Sequence, residues 1–181
     1  MGSYKSAEYY NEYYSKSDLY KFHYSVCPYY ELWKKVMGMI SIDENILEVG
    51  CGSGQLSKML LDNGFEKYIG FDFSSEAIKI ANSQRCIIGD CTKKEMYDRP
   101  FDTILCLETL EHLKDDIEVI RMWPKGKKVI LTVPDFDYES HTIYFQNMSE
   151  IVQRYQIKFN CFGIYSIEHF GHWFIINGVT V

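Results

Sequence analysis

The sequence predicts an α/β protein: a doubly wound, mostly parallel sheet of seven strands behind a helical N-terminal cap. Three observations point there. From residue 46 onward, short apolar runs alternate with helix-like stretches. The first five runs are nearly continuously apolar instead of alternating, as in strands buried on both faces of a parallel sheet. The first run also ends in a glycine-rich turn that opens a helix, the arrangement at the ligand-binding end of doubly wound sheets.

Each element has its own warrant. Residues 1–45 hold nine of the fifteen tyrosines. Tyr10, Tyr13 and Tyr14 recur at helical spacing, as do Tyr29, Tyr30 and Trp33, so two helices are expected across the edge or mouth of the sheet. The apolar runs at 46–50, 67–72, 86–90, 101–108, 127–134, 157–162 and 172–181 read as strands. Between the first two, Leu56, Met59 and Leu60 form one helical face, and Asn63-Gly64 supplies its stop. Ser74 is placed to cap the next helix, with Ile78 and Ala81 on the buried side. A helical cap over 1–45 and a binding domain over 46–181, together one structural domain, is the expected organisation.

Composition narrows the function. With 181 residues, 46% hydrophobic and 24% charged, the chain has ample material for one core. Nineteen Lys and Arg against 25 Asp and Glu leave a net charge of −6 without a basic stripe, which disfavours nucleic acid as a partner. No apolar run reaches the length of a membrane span, and a cytoplasmic protein, monomer or homodimer, is expected. The six cysteines form no C-x-x-C pair and mostly sit in apolar runs, so they read as reduced core residues.

Chemistry concentrates after the first strand, in Glu48-Val49-Gly50-Cys51-Gly52-Ser53-Gly54-Gln55. Glycines there permit a tight turn and let backbone N–H groups approach a ligand at a helix N-terminus. Asp72 ends the second strand about twenty residues later, where a carboxylate can accept from both ribose hydroxyls. Asp90 ends the third, within reach of an adenine amino group. A nicotinamide dinucleotide enzyme would share these features, but its third fingerprint glycine falls at Gln55, whose side chain hinders the close approach that pyrophosphate needs.

The ordered runs ILEVGCGSG, YIGFDFSSEAIKIA, IIGDC, FDTILCLETLEHL and KKVILTVPD resemble the motif set of the class I S-adenosylmethionine-dependent methyltransferases, whose fold is Rossmann-like. The resemblance implies S-adenosylmethionine as cofactor. Gly50, Cys51 and Gly52 would lie under its methionine and sugar, with Glu48 near its ammonium. Asp72 would hold the ribose and Phe73 cover the adenine, Asp90 and Cys91 would fix the adenine edge, and Leu107 would sit beside the sulfonium. The expected reaction is in-line methyl transfer to a small-molecule acceptor; a non-catalytic cofactor-binding module is the alternative of a different class.

Glu108, Glu111 and His112 stand at i, i+3 and i+4 where the fourth strand gives way to a helix, so they can share one face at the sheet mouth. They are the candidate catalytic residues, with His112 the best base because imidazole titrates near neutrality. Together with His141 they resemble the metal-binding set of the small-RNA 2′-O-methyltransferases, which adds a metal-dependent RNA-end enzyme as a further alternative. The shorter stretch between Glu111 and His141 and the absence of a basic surface depart from that family, so a divalent metal is the lesser expectation. Tyr14, His141 and Tyr144 are expected to line the acceptor pocket.

Overall fold

The computed structural model describes residues 2–168 and 172–181. Seven strands form one sheet: β1 (Ile46–Val49), β2 (Tyr68–Asp72), β3 (Cys86–Ile88), β4 (Thr103–Cys106), β5 (Lys128–Pro134), β6 (Phe159–Glu168) and β7 (His172–Thr180). Their order is β3-β2-β1-β4-β5-β7-β6. β1 to β5 are parallel, and β7 and β6 complete the sheet antiparallel. The order reverses next to β1, which leaves a crevice at the carboxyl ends of β1 and β4.

Both faces of β1, β4 and β5 are buried, which is why they read as continuous apolar runs. Leu47, Val49, Ile104, Cys106, Val129 and Leu131 point into one core, closed by α5 (Asp116–Met122) and α6 (Met148–Tyr155). Ile46, Leu105 and Ile130 point into the other, under α2 (Tyr30–Met37) and α3 (Gln55–Asp62), with α4 (Ser75–Ala81) alongside. Ser74 caps α4 by accepting from Ala77 N at 3.1 Å. Asn63 and Gly64, at φ +86°, end α3.

The N-terminal segment differs from the expectation in one respect. α1 (Ala7–Lys16) lies over the mouth of the sheet, but α2 buries Leu32, Trp33 and Val36 in the core and is part of the layer that covers one face. An apolar stripe at helical period cannot by itself distinguish a covering helix from a lid. Asn11 fastens α1 to α4: its Oδ1 accepts from Ser74 Oγ at 2.8 Å and Glu76 N at 3.1 Å. The other end of the segment is tied to the loop after β5, where Tyr9 donates to Glu139 at 2.6 Å and Ser3 N to Glu139 O at 3.1 Å. Among the described residues no helix is long and apolar enough to cross a membrane.

One polar link joins the two helices of the α5–α6 layer. Asp116, 2% exposed, accepts from Arg154 Nε at 2.8 Å, Arg154 Nη2 at 2.5 Å and Tyr155 OH at 2.6 Å. Removing one partner of a buried, fully bonded pair strands the others. Asp116→Ala is therefore expected to cost about 3 kcal/mol in urea unfolding, near the low end for such pairs because Arg154 retains access to water. A cost below about 1 kcal/mol would show that the link is dispensable.

Candidate functional site

The site begins where β1 ends. Gly50 N and Cys51 N both donate to Phe71 O, at 2.9 and 3.0 Å, so the chain folds back over β2. Gly50 adopts φ +75°, and a Cβ there would stand 2.3 Å from Thr109 Oγ1; the backbone passes too close to the β4 end for any side chain. Asp72 is buried, with Oδ2 accepting from Gly52 N at 3.0 Å and Oδ1 from Ser74 N at 2.8 Å. Burial raises its pKa, and the two amides oppose that rise. Each carboxylate oxygen keeps a lone pair beyond its amide contact.

A cavity of about 570 Å³ opens there. Glu48, Gly50, Cys51, Gly52, Asp72, Phe73, Asp90, Cys91 and Leu107 all line it, so the structure brings together every residue expected to touch the cofactor. Asp90 Oδ1 accepts from Thr92 N and Thr92 Oγ1, both at 2.8 Å, which fixes the carboxylate at the rim. Glu48 is buried and accepts from Tyr68 OH; burial pushes its pKa up to about 8. An ordered glycine turn, a ribose-ready carboxylate and a second strand-end acid in one cavity fit an adenosine-bearing cofactor.

The roof is aromatic. Tyr14, expected in the acceptor pocket, lines this cavity and lies over the turn: a Cβ on Gly52 would be 2.8 Å from its hydroxyl. Tyr10 packs at 5.4 Å from Phe73 and 5.9 Å from His112. Gln55 is a residue whose role sequence reasoning missed. Its Nε2 donates to Leu19 O at 3.1 Å and Phe22 O at 2.8 Å, pinning the connection after α1 to the first turn of α3. A polar residue opening an otherwise apolar buried helix was the available signal.

The E-x-x-E-H string does not form the single helical face its spacing suggests. Leu110–His112 is one 3₁₀ turn, and Glu108 precedes it with φ +50°. Glu108 is thereby turned to the β5–β7 side, where Thr132 Oγ1 donates to Oε1 at 2.8 Å and Trp173 Nε1 to Oε2 at 2.6 Å. Of the four residues expected as metal ligands, Glu111, His112 and His141 converge, with ligand atoms within 4.8 Å of one another, and Glu108 is not in that group. Tyr144 also departs from expectation and does not line the cavity. Its neighbour Phe145 is drawn into the core against Tyr155, with its N–H on Pro134 O, which sets the path of this stretch.

The three converging groups are arranged to act together. His112 Nδ1 lies 3.0 Å from Ser140 O and His141 Nδ1 3.1 Å from Phe136 O. A carbonyl only accepts, so both Nδ1 atoms carry the proton and both Nε2 atoms present a lone pair. Burial lowers the pKa of His112 to about 4 and that of His141 below its ordinary value, so both rings are neutral at pH 7. Glu111 is fully buried with neither carboxyl oxygen hydrogen-bonded, and burial followed by the charge of Glu108 drives its pKa upward. Such a set accepts protons or holds a divalent cation.

The family model for the methyltransferase domain matches residues 30–178. Phosphoethanolamine N-methyltransferase 3 of Arabidopsis thaliana is 31% identical over 116 residues, covering 56% of this chain and 24% of the relative. A ubiquinone biosynthesis O-methyltransferase of Idiomarina loihiensis is 27% identical over 139 residues, covering 72% of this chain and 51% of its own length. The chain thus spans a quarter to a half of these relatives. A solved S-adenosylmethionine-dependent methyltransferase of Thermotoga maritima, a possible histamine N-methyltransferase, superposes with a TM-score of 0.68 at 16% identity, covering 97% of this chain and 98% of the other. The chain belongs to the methyltransferase domain family, and its fold is that of the solved S-adenosylmethionine-dependent methyltransferase.

Proposed function

We propose that the protein transfers a methyl group from S-adenosylmethionine to a small-molecule acceptor. The observation that carries this reading is the placement of two neutral imidazoles, each with Nε2 unencumbered by its backbone contact, in the cavity framed by the glycine turn, Asp72 and Asp90. Bound S-adenosylmethionine supplies an electrophilic methyl. The protein's contribution is then positioning and dryness, which in well-oriented systems is worth up to roughly 7 to 11 kcal/mol. Asp72 and Asp90 hold the adenosine, Tyr10 and Tyr14 exclude water from above, and His112 or His141 takes the acceptor's proton through Nε2. The relatives named for phosphoethanolamine and ubiquinone biosynthesis support an acceptor of small size.

Incubation with S-adenosylmethionine and small amine, phenol or carboxylate acceptors is expected to release S-adenosylhomocysteine. Tight cofactor binding without release on any acceptor, cell extract included, would favour the non-catalytic module instead.

A second reading has its own observation: the orphaned carboxyl of Glu111. Glu111, His112 and His141 fit a divalent cation, since both imidazoles are fixed in the ligating tautomer and the carboxyl has no hydrogen-bond partner among the described residues. The cation would supply Lewis acidity to an acceptor oxygen, as in RNA-end methylation. Mn²⁺ is then expected to raise the melting temperature of the wild type and not of Glu111→Gln or His141→Ala, and a chelator to abolish turnover. Turnover indifferent to chelator, with no Mn²⁺-dependent shift, would leave the three residues as a metal-free proton-accepting cluster.

A further inference from the structure

Glu108 is left over from both roles. It stands immediately after Leu107, yet it is not among the residues that converge on His112 and His141. It is also held at φ +50°, a backbone conformation that is strained for a non-glycine residue. The strain is maintained by three contacts: Glu108 N donates to Thr132 Oγ1 at 2.9 Å, and the carboxylate receives one donor on each oxygen. One lone pair on each oxygen remains, and Glu108 lines the cavity.

Its surroundings are aromatic and without cations. Trp173, whose N–H holds Glu108, is flanked edge-on by Tyr29 at 6.0 Å and Phe136 at 5.6 Å, and both of these rings line the cavity. Trp33, a further lining residue, stacks at 5.9 Å on Tyr29. Among the described residues, and apart from the two histidines, the basic residue lining the cavity is Lys114, whose ammonium sits 4.6 Å from the centre of the Tyr4 ring. A fixed carboxylate inside an aromatic collar is the chemistry that recognises an organic cation: the rings attract it through their faces and the carboxylate receives its N–H groups. At Glu108 itself an anionic acceptor would meet the carboxylate's repulsion, and a neutral alcohol would use only one of the features present.

We propose that Glu108 selects the acceptor and that the acceptor presents an alkyl ammonium group, the product being its N-methyl derivative. The inference rests on the small-acceptor reading and names its substrate class. Before attack, the ammonium loses one proton to solvent while Glu108 retains a hydrogen bond to a remaining N–H. The nitrogen lone pair then forms the new C–N bond, and the electron pair of the breaking C–S bond passes to sulfur. The methylated ammonium and neutral S-adenosylhomocysteine leave.

The test is calorimetric titration of the protein saturated with S-adenosylhomocysteine, using phenethylamine, phenethyl alcohol and phenylacetate as probes. The amine is expected to bind about tenfold or more tightly than the alcohol, a difference of about 1.4 kcal/mol, and the carboxylate more weakly than both. Glu108→Gln should remove the preference for the amine and leave the affinities for the alcohol and for S-adenosylhomocysteine within about twofold, an uncharged isostere losing only the charge-assisted contact. Equal wild-type affinities for amine and alcohol, or no amine binding at 10 mM, about where affinities fall below the weakest specific ligands, overturn the proposal even if the variant does not fold. Failure of S-adenosylhomocysteine itself to bind would instead strike the methyltransferase reading, so the two failures are distinct.

Discussion

Asp72→Ala is expected to weaken S-adenosylhomocysteine binding on the order of 1,000-fold, about 4 kcal/mol. The carboxylate has two functions at once. It clamps the backbone amides of Gly52 and Ser74, and so sets both the glycine turn and the start of α4. In the proposed binding mode its remaining lone pairs would accept from the ribose hydroxyls, and hydrogen bonds to a charged group contribute roughly 1.5 to 3 kcal/mol each. Asp72→Asn keeps one acceptor oxygen and should fall between, at roughly 30-fold by the same reckoning. Asp90→Ala provides the contrast: its carboxylate is anchored only within its own turn by Thr92, and a loss of about tenfold is expected. Calorimetric titration measures all three, with urea unfolding alongside to separate a weakened site from a weakened fold. If Asp72→Ala lost less than tenfold, adenosine would have to be held elsewhere.

How much of this was legible in the sequence depends on how local each cause is. The parallel strands were readable because burial on two faces favours apolar residues, as in Val129 to Leu131. Their ends were not: the runs at 86–90 and 101–108 shrink to Cys86–Ile88 and Thr103–Cys106, with Gly89, Asp90, Leu107 and Glu108 leaving the strands to line the cavity. β6 was expected over 157–162 and runs from Phe159 to Glu168, carrying exposed Tyr165 and Ser166. It is an edge strand paired only to β7, so its pattern reports one neighbour and not two. The cavity-lining glycines and acids were readable because each is the chemical consequence of its own position at a strand end. Glu108 was not, since its spacing to Glu111 is helical while its φ is not; the contacts with Thr132 and Trp173 that decide this come from residues 24 and 65 positions away. Gln55 and Asn11 belong to the same category, as their partners lie 33 or more residues distant.

Glu48→Gln is expected to stabilise the cofactor-free protein by an amount that grows with pH, reaching about 3 kcal/mol more at pH 8 than at pH 5.5. Glu48 is buried, and its carboxyl pKa is pushed up to about 8 from an ordinary value of 4.5, first by burial, with the Tyr68 hydrogen bond opposing. Below pH 4.5 folded and unfolded chains both hold the proton, and burial carries no charge penalty. Between pH 4.5 and about 8 the unfolded chain releases it while the folded chain keeps it, so stability falls by up to about 1.4 kcal/mol per pH unit. Above pH 8 the folded state ionises too and the dependence ends. Glutamine matches the neutral acid in shape and has no such dependence. Glu108 and Glu111 also have raised pKa values, so the wild-type profile alone is composite and only its difference from the variant isolates Glu48. The same reasoning ties stability to function. An ammonium group of S-adenosylmethionine placed beside Glu48, as the proposed binding mode requires, would favour the carboxylate and release the proton that the empty site retains. Calorimetry at pH 7 in buffers of different ionisation heat should therefore register proton release on cofactor binding by the wild type and less of it with Glu48→Gln. Equal release from both proteins would place the cofactor's ammonium away from Glu48, and a stability difference that does not change with pH would show that the carboxyl is already ionised in the folded chain.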